Sequence, residues 1–371
     1  MGNQLYAIAL AMTPGLSCSG CRKLLDIHAD PEEIFGLTKK DLVELFGQHH
    51  QIIDAIAGKT MMGRAEEELA WAEKNDIRIL FITDADYPQR LKLPGCEDTP
   101  TLLYLKGACD LNAERVVSVV GTRRATEYGK DMTSKLIGQL QGEGVMVVSG
   151  LAYGIDAAAH RSSLQYGLTT VGVLGHGLDQ IYPPENRGLA RDMVYGGGGL
   201  ITEYPSQTKI NPYNFPARNR IIAALSDATI VVEAAEKGGA LITAGIANGY
   251  HRDVFAVPGR VYDSYSNGCN NLIANNRANI IRTMDDLYYS MGWERKSRAK
   301  SGMDGVQQQL FVALSNDEQA IYDILQASPN LTMEEIKAKC ELSLPKIANA
   351  LLNMELNSVV KCLPGKLYRC Y

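Results

Sequence analysis

Between Ile77 and Trp293 the chain repeats one pattern: short apolar runs at 79–82, 116–120, 145–148, 169–174, 200–201, 229–232 and 254–257, alternating with stretches at helical spacing. Strands buried on both faces read as continuous apolar runs, and strands joined by helix-length crossovers pair in parallel. The pattern therefore predicts an α/β fold, an extended Rossmann-like parallel sheet with helices on both faces. In such a sheet the strand exits gather on the carboxyl side, where open α/β sheets bind ligands.

Those exits carry the informative residues. After the 145–148 run come Ser149, Gly150, Gly154, Asp156 and His160, and a later helix opens with Phe215, Pro216, Arg218, Asn219 and Arg220. After 116–120 stand Gly121, Arg123 and Arg124, with Thr126 predicted to cap the next helix. After 229–232 stand Lys237, Gly238 and Gly239, and Gly268 and Asn270 follow the last run. Glycines beside helix amides make anion-binding concavities, and forked guanidinium groups match phosphate oxygens. Five such exits on one edge predict a phosphate-bearing ligand. The first turn lacks the G-x-G-x-x-G spacing of dinucleotide binders, and Arg123 stands where close approach to a pyrophosphate demands glycine. A nicotinamide or flavin is thus disfavoured, no cofactor is expected, and the arginines suit the phosphates of an extended strand.

Other readings stay open. Asp156 and His160 lie four apart on one helix, a spacing compatible with acid–base work, but no nucleophile accompanies them and capping or packing fits equally. Arg218 or Arg220 could instead pair with Glu203 or Glu233. Cys18 and Cys21 have redox or half-zinc spacing, yet no second pair completes a metal set.

Composition sets outer limits. The 371 residues, 46% of them hydrophobic, suffice for two or three domains with a large core. No apolar run reaches the roughly 18 residues needed to span a bilayer, and the opening Met-Gly-Asn-Gln-Leu-Tyr lacks a basic leader, so a cytoplasmic protein is expected. Eight cysteines at irregular spacing read as reduced thiols, and a net charge of −5 requires any nucleic-acid site to be local.

Three modules are expected: helices at 1–75 resembling helix-hairpin-helix or SAM-like packing, the sheet domain at 76–295, and, beyond a polar linker at 296–309, a unit at 310–371. In that last unit three helices precede a hairpin, the order of a winged helix; its third helix offers Lys346 but few other bases for a major groove.

Taken together, Gly121-Thr-Arg123, Ser149-Gly150 through His160, Tyr182-Pro183 with Asn186, Glu203-Tyr-Pro, Phe215-Pro-x-Arg218-Asn219-Arg220, Glu233-Ala and Pro258-Gly259 make the chain resemble the DprA family, also called Smf, across about residues 77–290. The resemblance implies a non-enzymatic homodimer that binds single-stranded DNA, protects incoming strands during natural transformation and loads RecA recombinase. The family's usual Ser-Gly-Ser-Leu-Ile-Thr appears here as Gly238 through Thr243 with Gly and Ala in the serine places, and Tyr153 and Pro184 stand where some relatives place bases. Two competing classes remain: a phosphoribohydrolase of the lysine-decarboxylase-like group, of whose Pro-Gly-Gly-x-Gly-Thr stretch Gly238, Gly239 and Thr243 are a partial echo, and a pure protein scaffold with a vestigial pocket, which a DNA-binding assay separates.

Overall fold

The computed structural model describes residues 2–295, 314–328, 331–340, 342–356, 359–363 and 367–370; the expected linker at 296–309 and the Pro364-Gly365 turn lie outside them. The chain divides into two compact units at residue 300.

The first unit begins with α1 (Gly2–Ala11), α2 (Cys18–Ile27), α3 (Pro31–Ile34), α4 (Lys39–Phe46), α5 (His50–Ala57) and α6 (Met62–Lys74). Ser17, Asp30 and Thr38 start α2, α3 and α4 by accepting hydrogen bonds from the amides of Gly20, Glu32 and Asp41. The sequence pattern does not predict α1. Its residues Ala7 through Leu10 are all buried, so it lacks the polar face that makes a helix periodic.

The sheet follows: β1 (Ile77–Phe81), β2 (Leu102–Gly107), β3 (Arg115–Val120), β4 (Val145–Ser149), β5 (Thr170–Val173), β6 (Gly199–Thr202), β7 (Ala228–Val231), β8 (Asp253–Ala256) and β9 (Asn279–Ile280). Their order across the sheet is β1-β2-β6-β5-β4-β3-β7-β8-β9. From β6 to β9 every pair is parallel, whereas β1, β2 and β6 pair antiparallel at one edge. The expected parallel sheet is thus extended by an antiparallel edge. Crossover helices α7 (Glu127–Gly138), α8 (Ile155–Gln165), α9 (Arg187–Tyr195), α10 (Asn214–Leu225), α11 (Gly239–Gly249) and α12 (Asn267–Ala274) cover the sheet, and α13 (Met284–Met291) follows β9. Period-two alternation fixes the layers. Val116 and Val120 of β3 share a core with Ile221, Ile222 and Ala244 of α10 and α11, while Val117 and Val119 share the opposite one with Ile137 and Ile155 of α7 and α8. The strand order reverses at β3, which has β4 on one side and β7 on the other.

The N-terminal helices are not set apart. Ile8, Leu10, Leu24 and Ile56 belong to the same core as Ile77, Ile79 and Phe81 of β1 and Tyr104 of β2. A polar clasp adds to this: the fully buried Glu68 of α6 accepts hydrogen bonds from Arg64 (2.7 Å), from the Ser206 hydroxyl (2.6 Å) and from the Ser206 amide (2.8 Å) beyond β6.

The second unit contains α14 (Asn316–Ala327), α15 (Met333–Ala338) and α16 (Leu344–Leu356), then the antiparallel hairpin β10 (Val360–Leu363) and β11 (Leu367–Cys370). Capping boxes at Ser315 and Thr332 start its first two helices, and Ile321, Leu325, Ile336, Ile347, Leu351 and Val360 form its core. This is the expected winged helix. Lys346 on α16 faces Asp317 at 3.4 Å.

Removing the Glu68 carboxylate would take away the close ion partner of Arg64, which keeps the Ser206 oxygens, and would leave the Ser206 amide without its acceptor. The variant Glu68→Ala should lose about 3 kcal/mol of stability in the first unit's unfolding transition, and Ser206→Ala about 1 kcal/mol. Urea titrations read both, and an unchanged midpoint for Glu68→Ala would show that the clasp carries no stability.

Candidate nucleic-acid interface

The reversal of strand order opens a crevice between the exits of β3 and β7. The two exits are stitched together: the Thr122 amide donates to the Glu233 carbonyl at 2.7 Å. The Glu233 side chain in turn accepts from the amide and hydroxyl of Thr126, whose own Oγ1 accepts from the Gly129 amide at 3.1 Å and caps α7. A third strand exit closes against them. The Ile155 amide donates to the Thr122 carbonyl at 3.2 Å, and Gly154, at φ +75°, sits so close that a Cβ there would lie 2.1 Å from the Thr122 oxygen. Only glycine fits that conformation and that contact.

The result is a cleft of about 270 Å³ whose walls include Gly121, Thr122, Arg123, Asn219, Lys237 and Gly239. It brings together most of the residues singled out from the sequence, but their side chains differ in what they can offer.

Arg123 and Arg124 are exposed, and neither has an ion-pair partner among the described residues. Arg123 lies with its guanidinium carbon 5.9 Å from the centre of the Phe215 ring. On the other wall, Lys237 and the two glycines after it are exposed. A Cβ at Gly238 or Gly239 would meet nothing, and Gly238 starts α11 without any side-chain cap. The first amides of α11 therefore reach the cleft without a side chain in front of them, the geometry in which a helix end takes an anion.

Arg218 is different. It is only 4% exposed, and its Nη1 donates to the carbonyls of Gly150 (2.7 Å) and Val173, while its Nε donates to Asn219 at 3.0 Å. Gly150 is required here because a Cβ would lie 2.4 Å from the guanidinium. Burial lowers the Arg218 pKa to about 10 against the pull of Asp156, and burial raises the Asp156 carboxyl despite Arg218. The two form the inner wall. Arg220 pairs with Glu203 and also touches Cys18 of α2 at 3.8 Å, which ties the helical segment to the site's flank. Burial works against its charge, but Glu203 overrides this and raises the guanidinium pKa.

Ser149 is buried and donates to the Val119 carbonyl at 2.6 Å, and Asn270 exchanges two 3.1 Å hydrogen bonds with the Gly259 backbone. Side chains expected to meet phosphate at Ser149, Arg218, Arg220 and Asn270 are thus committed to holding the loops. Asp156 and His160 do not pair with each other: Asp156 accepts from the Ala152 amide at 3.4 Å, and His160 Nδ1 bonds Thr170 at 2.7 Å.

The sequence pattern does not single out the aromatic residues beside the cleft. Tyr182 and Phe215 have ring centres 5.6 Å apart beside the cleft, and Tyr153, hydrogen-bonded to Glu185, lines the same side. Only Phe215 stands near bases in the chain, three positions before Arg218, whereas Tyr153 and Tyr182 have none within four positions, so the sequence carries no signal that would group the three.

A family model described as DNA recombination-mediator protein A matches residues 78–292, more than half of the chain and the whole of this cleft. The chain belongs to that family. A DprA winged helix domain matches 308–366. The Smf protein of Synechocystis sp. is 41% identical over 294 residues, covering 78% of this chain and 73% of that protein. The DNA processing protein DprA of Streptococcus pneumoniae is 44% identical over 192 residues, 52% of this chain and 67% of its own. Its solved structure superposes with a TM-score of 0.65 at 34% identity, over 77% of this chain and 97% of that one. The DprA of Helicobacter pylori, solved in a study of its single-stranded DNA binding mode, gives a TM-score of 0.52 at 29% identity, over 58% of this chain and 95% of that one.

The buried histidine behind the cleft makes a pH test. Burial, and then the nearby Arg218, lowers the His160 pKa to about 3. A depressed pKa means that the unfolded chain takes up a proton first as pH falls below about 6.5. The stability present above that pH is then lost on acidification, at up to roughly 1.4 kcal/mol per pH unit from this group. Unfolding free energies between pH 7 and pH 5 should fall on this slope, and His160→Gln should flatten it whatever its effect at pH 7. Equal slopes for the two proteins would contradict the assignment.

Proposed function

We propose that the cleft between β3 and β7 holds the phosphate backbone of single-stranded DNA, with bases stacking on the neighbouring aromatic rings. The observation that carries this reading is the pairing of two cations, Arg123 and Lys237, neither ion-paired among the described residues, with the uncapped start of α11 at Gly238 and Gly239, beside Phe215 and Tyr182. Cations and helix amides supply a sequence-independent phosphate grip, and rings give base stacking of similarly low selectivity. Arg124 and Asn219 extend the grip along the rim. Gly121, Ser149, Gly150, Gly154, Arg218, Arg220 and Asn270 shape the loops that present it. The single-stranded DNA binding mode of the Helicobacter pylori relative supports the same ligand.

The chain is read as a binding protein rather than an enzyme. The phosphoribohydrolase reading needs a carboxylate available to act on a nucleotide, and Glu233 is tied to Thr126. With no chemistry of its own, a bound strand must be passed on, and the receiving protein is RecA recombinase, as the family resemblance implies. In this account the protein is a cytoplasmic homodimer that protects strands entering during natural transformation. Exposed Val261, Tyr262 and Ile280 on the β8–β9 side of the sheet are suited to a second copy.

Gel-shift or anisotropy titrations at several salt concentrations should show tighter binding to single strands than to duplex. The variants Arg123→Ala and Lys237→Ala should each weaken binding and reduce the salt slope by about one. Phe215→Ala should cost about 1–3 kcal/mol of binding and leave the slope unchanged. Arg218→Ala should instead lower the melting temperature, because it removes the support of two buried carbonyls. Equal affinity for duplex and single strand would end the proposal. For the transfer step, the wild-type protein should shorten the lag of RecA filament growth on strands coated with single-strand-binding protein, and Arg123→Ala should not; an unchanged lag with tight DNA binding would remove RecA loading alone.

A further inference from the structure

A second concavity shares no residue with the strand cleft. It runs along α9 beside the antiparallel β2–β6 pair, has a volume of about 670 Å³, and presents an aliphatic floor of Leu178, Ile181, Val194 and Leu200. Lys106 and Arg187 stand in its walls, and neither has an ion-pair partner among the described residues. Arg191 adds a third cation, already 3.3 Å from Asp192, against one lining carboxylate, Asp76. In a chain with net charge −5 this surplus of positive charge is local. At the end of α9, Tyr195 lines the groove while 83% exposed, an aromatic residue presented to solvent of the kind that anchors protein interfaces.

We propose that this groove captures a short acidic peptide segment carrying an apolar side chain, supplied by another protein. The aliphatic floor takes the apolar side chain, and Lys106 and Arg187 take the carboxylates. A nucleic acid fits less well, since the floor offers aliphatic groups where stacking bases need aromatic faces. Because the groove and the strand cleft are built from different residues, a partner can be held here while DNA occupies the other site.

The probe is a fluorescein-labelled peptide, Glu-Asp-Asp-Leu-Phe with a free carboxyl terminus, titrated against the full chain by anisotropy. Binding should saturate and weaken with salt. Lys106→Glu and Arg187→Glu should each weaken it about tenfold or more, as charge reversal at an interface does. Replacing Leu-Phe in the peptide by Ala-Ala should have a similar effect, and single-stranded DNA binding by both variants should stay at the wild-type level. Both substitutions lie on the groove's wall, and melting curves run in parallel identify a variant that misfolds, in which case the other variant and the Ala-Ala peptide decide. Absence of saturable binding, or variants that bind as wild type does, would overturn the proposal. So would displacement of the peptide by an unlabelled oligothymidylate strand, which would assign the groove to nucleic acid.

Discussion

The hydrogen bond from the Thr122 amide to the Glu233 carbonyl holds the topological break at β3 closed at its base. At β3 the sheet changes direction, and the two strand exits diverge there into helices on opposite faces. Without a tie the crevice would have no fixed width. Glu233 fixes it a second time through its carboxylate, which holds Thr126 at the start of α7, and Gly154 fixes it a third time by letting the next exit lie against Thr122. Three backbone segments are thereby locked around a small volume, and Arg123, Lys237 and the α11 amides are left facing it.

This arrangement divides the arginines by burial. Arg218 lies inside the wall, where carbonyls and Asp156 offset the cost of burying its charge, and Arg220 is held by Glu203. Arg123 stays exposed beside Phe215. Chemically identical side chains thus differ in what they are free to do: the α10 pair fixes shape, and under the proposed function the exposed cations supply a long-range attraction that salt screens.

Much of this is legible in the amino-acid sequence. The parallel core strands read as apolar runs because both their faces are buried, and the glycine-flanked exits mark the carboxyl edge correctly. The strand β2 escapes the pattern because Leu-Leu-Tyr-Leu is an apolar run without a crossover helix before it, and α1 because its run of buried residues has no polar face. The direction of a side chain is not legible. Nothing in Phe215-Pro-Ala-Arg218-Asn219-Arg220 states that residue 218 of α10 points at the β4 and β5 exits and residue 220 toward α2. The aromatic pair is hidden for a related reason: Tyr182 and Phe215 lie 33 positions apart and meet only after folding.

The most direct test of the central claim is photochemical. A thymidylate strand bearing 5-iododeoxyuridine, irradiated in complex with the full chain and digested, should yield adducts on peptides containing Arg123, Tyr182, Phe215 or Lys237. Adducts confined to residues 314–370 of the winged-helix unit, with none at the β3–β7 cleft, would contradict the account.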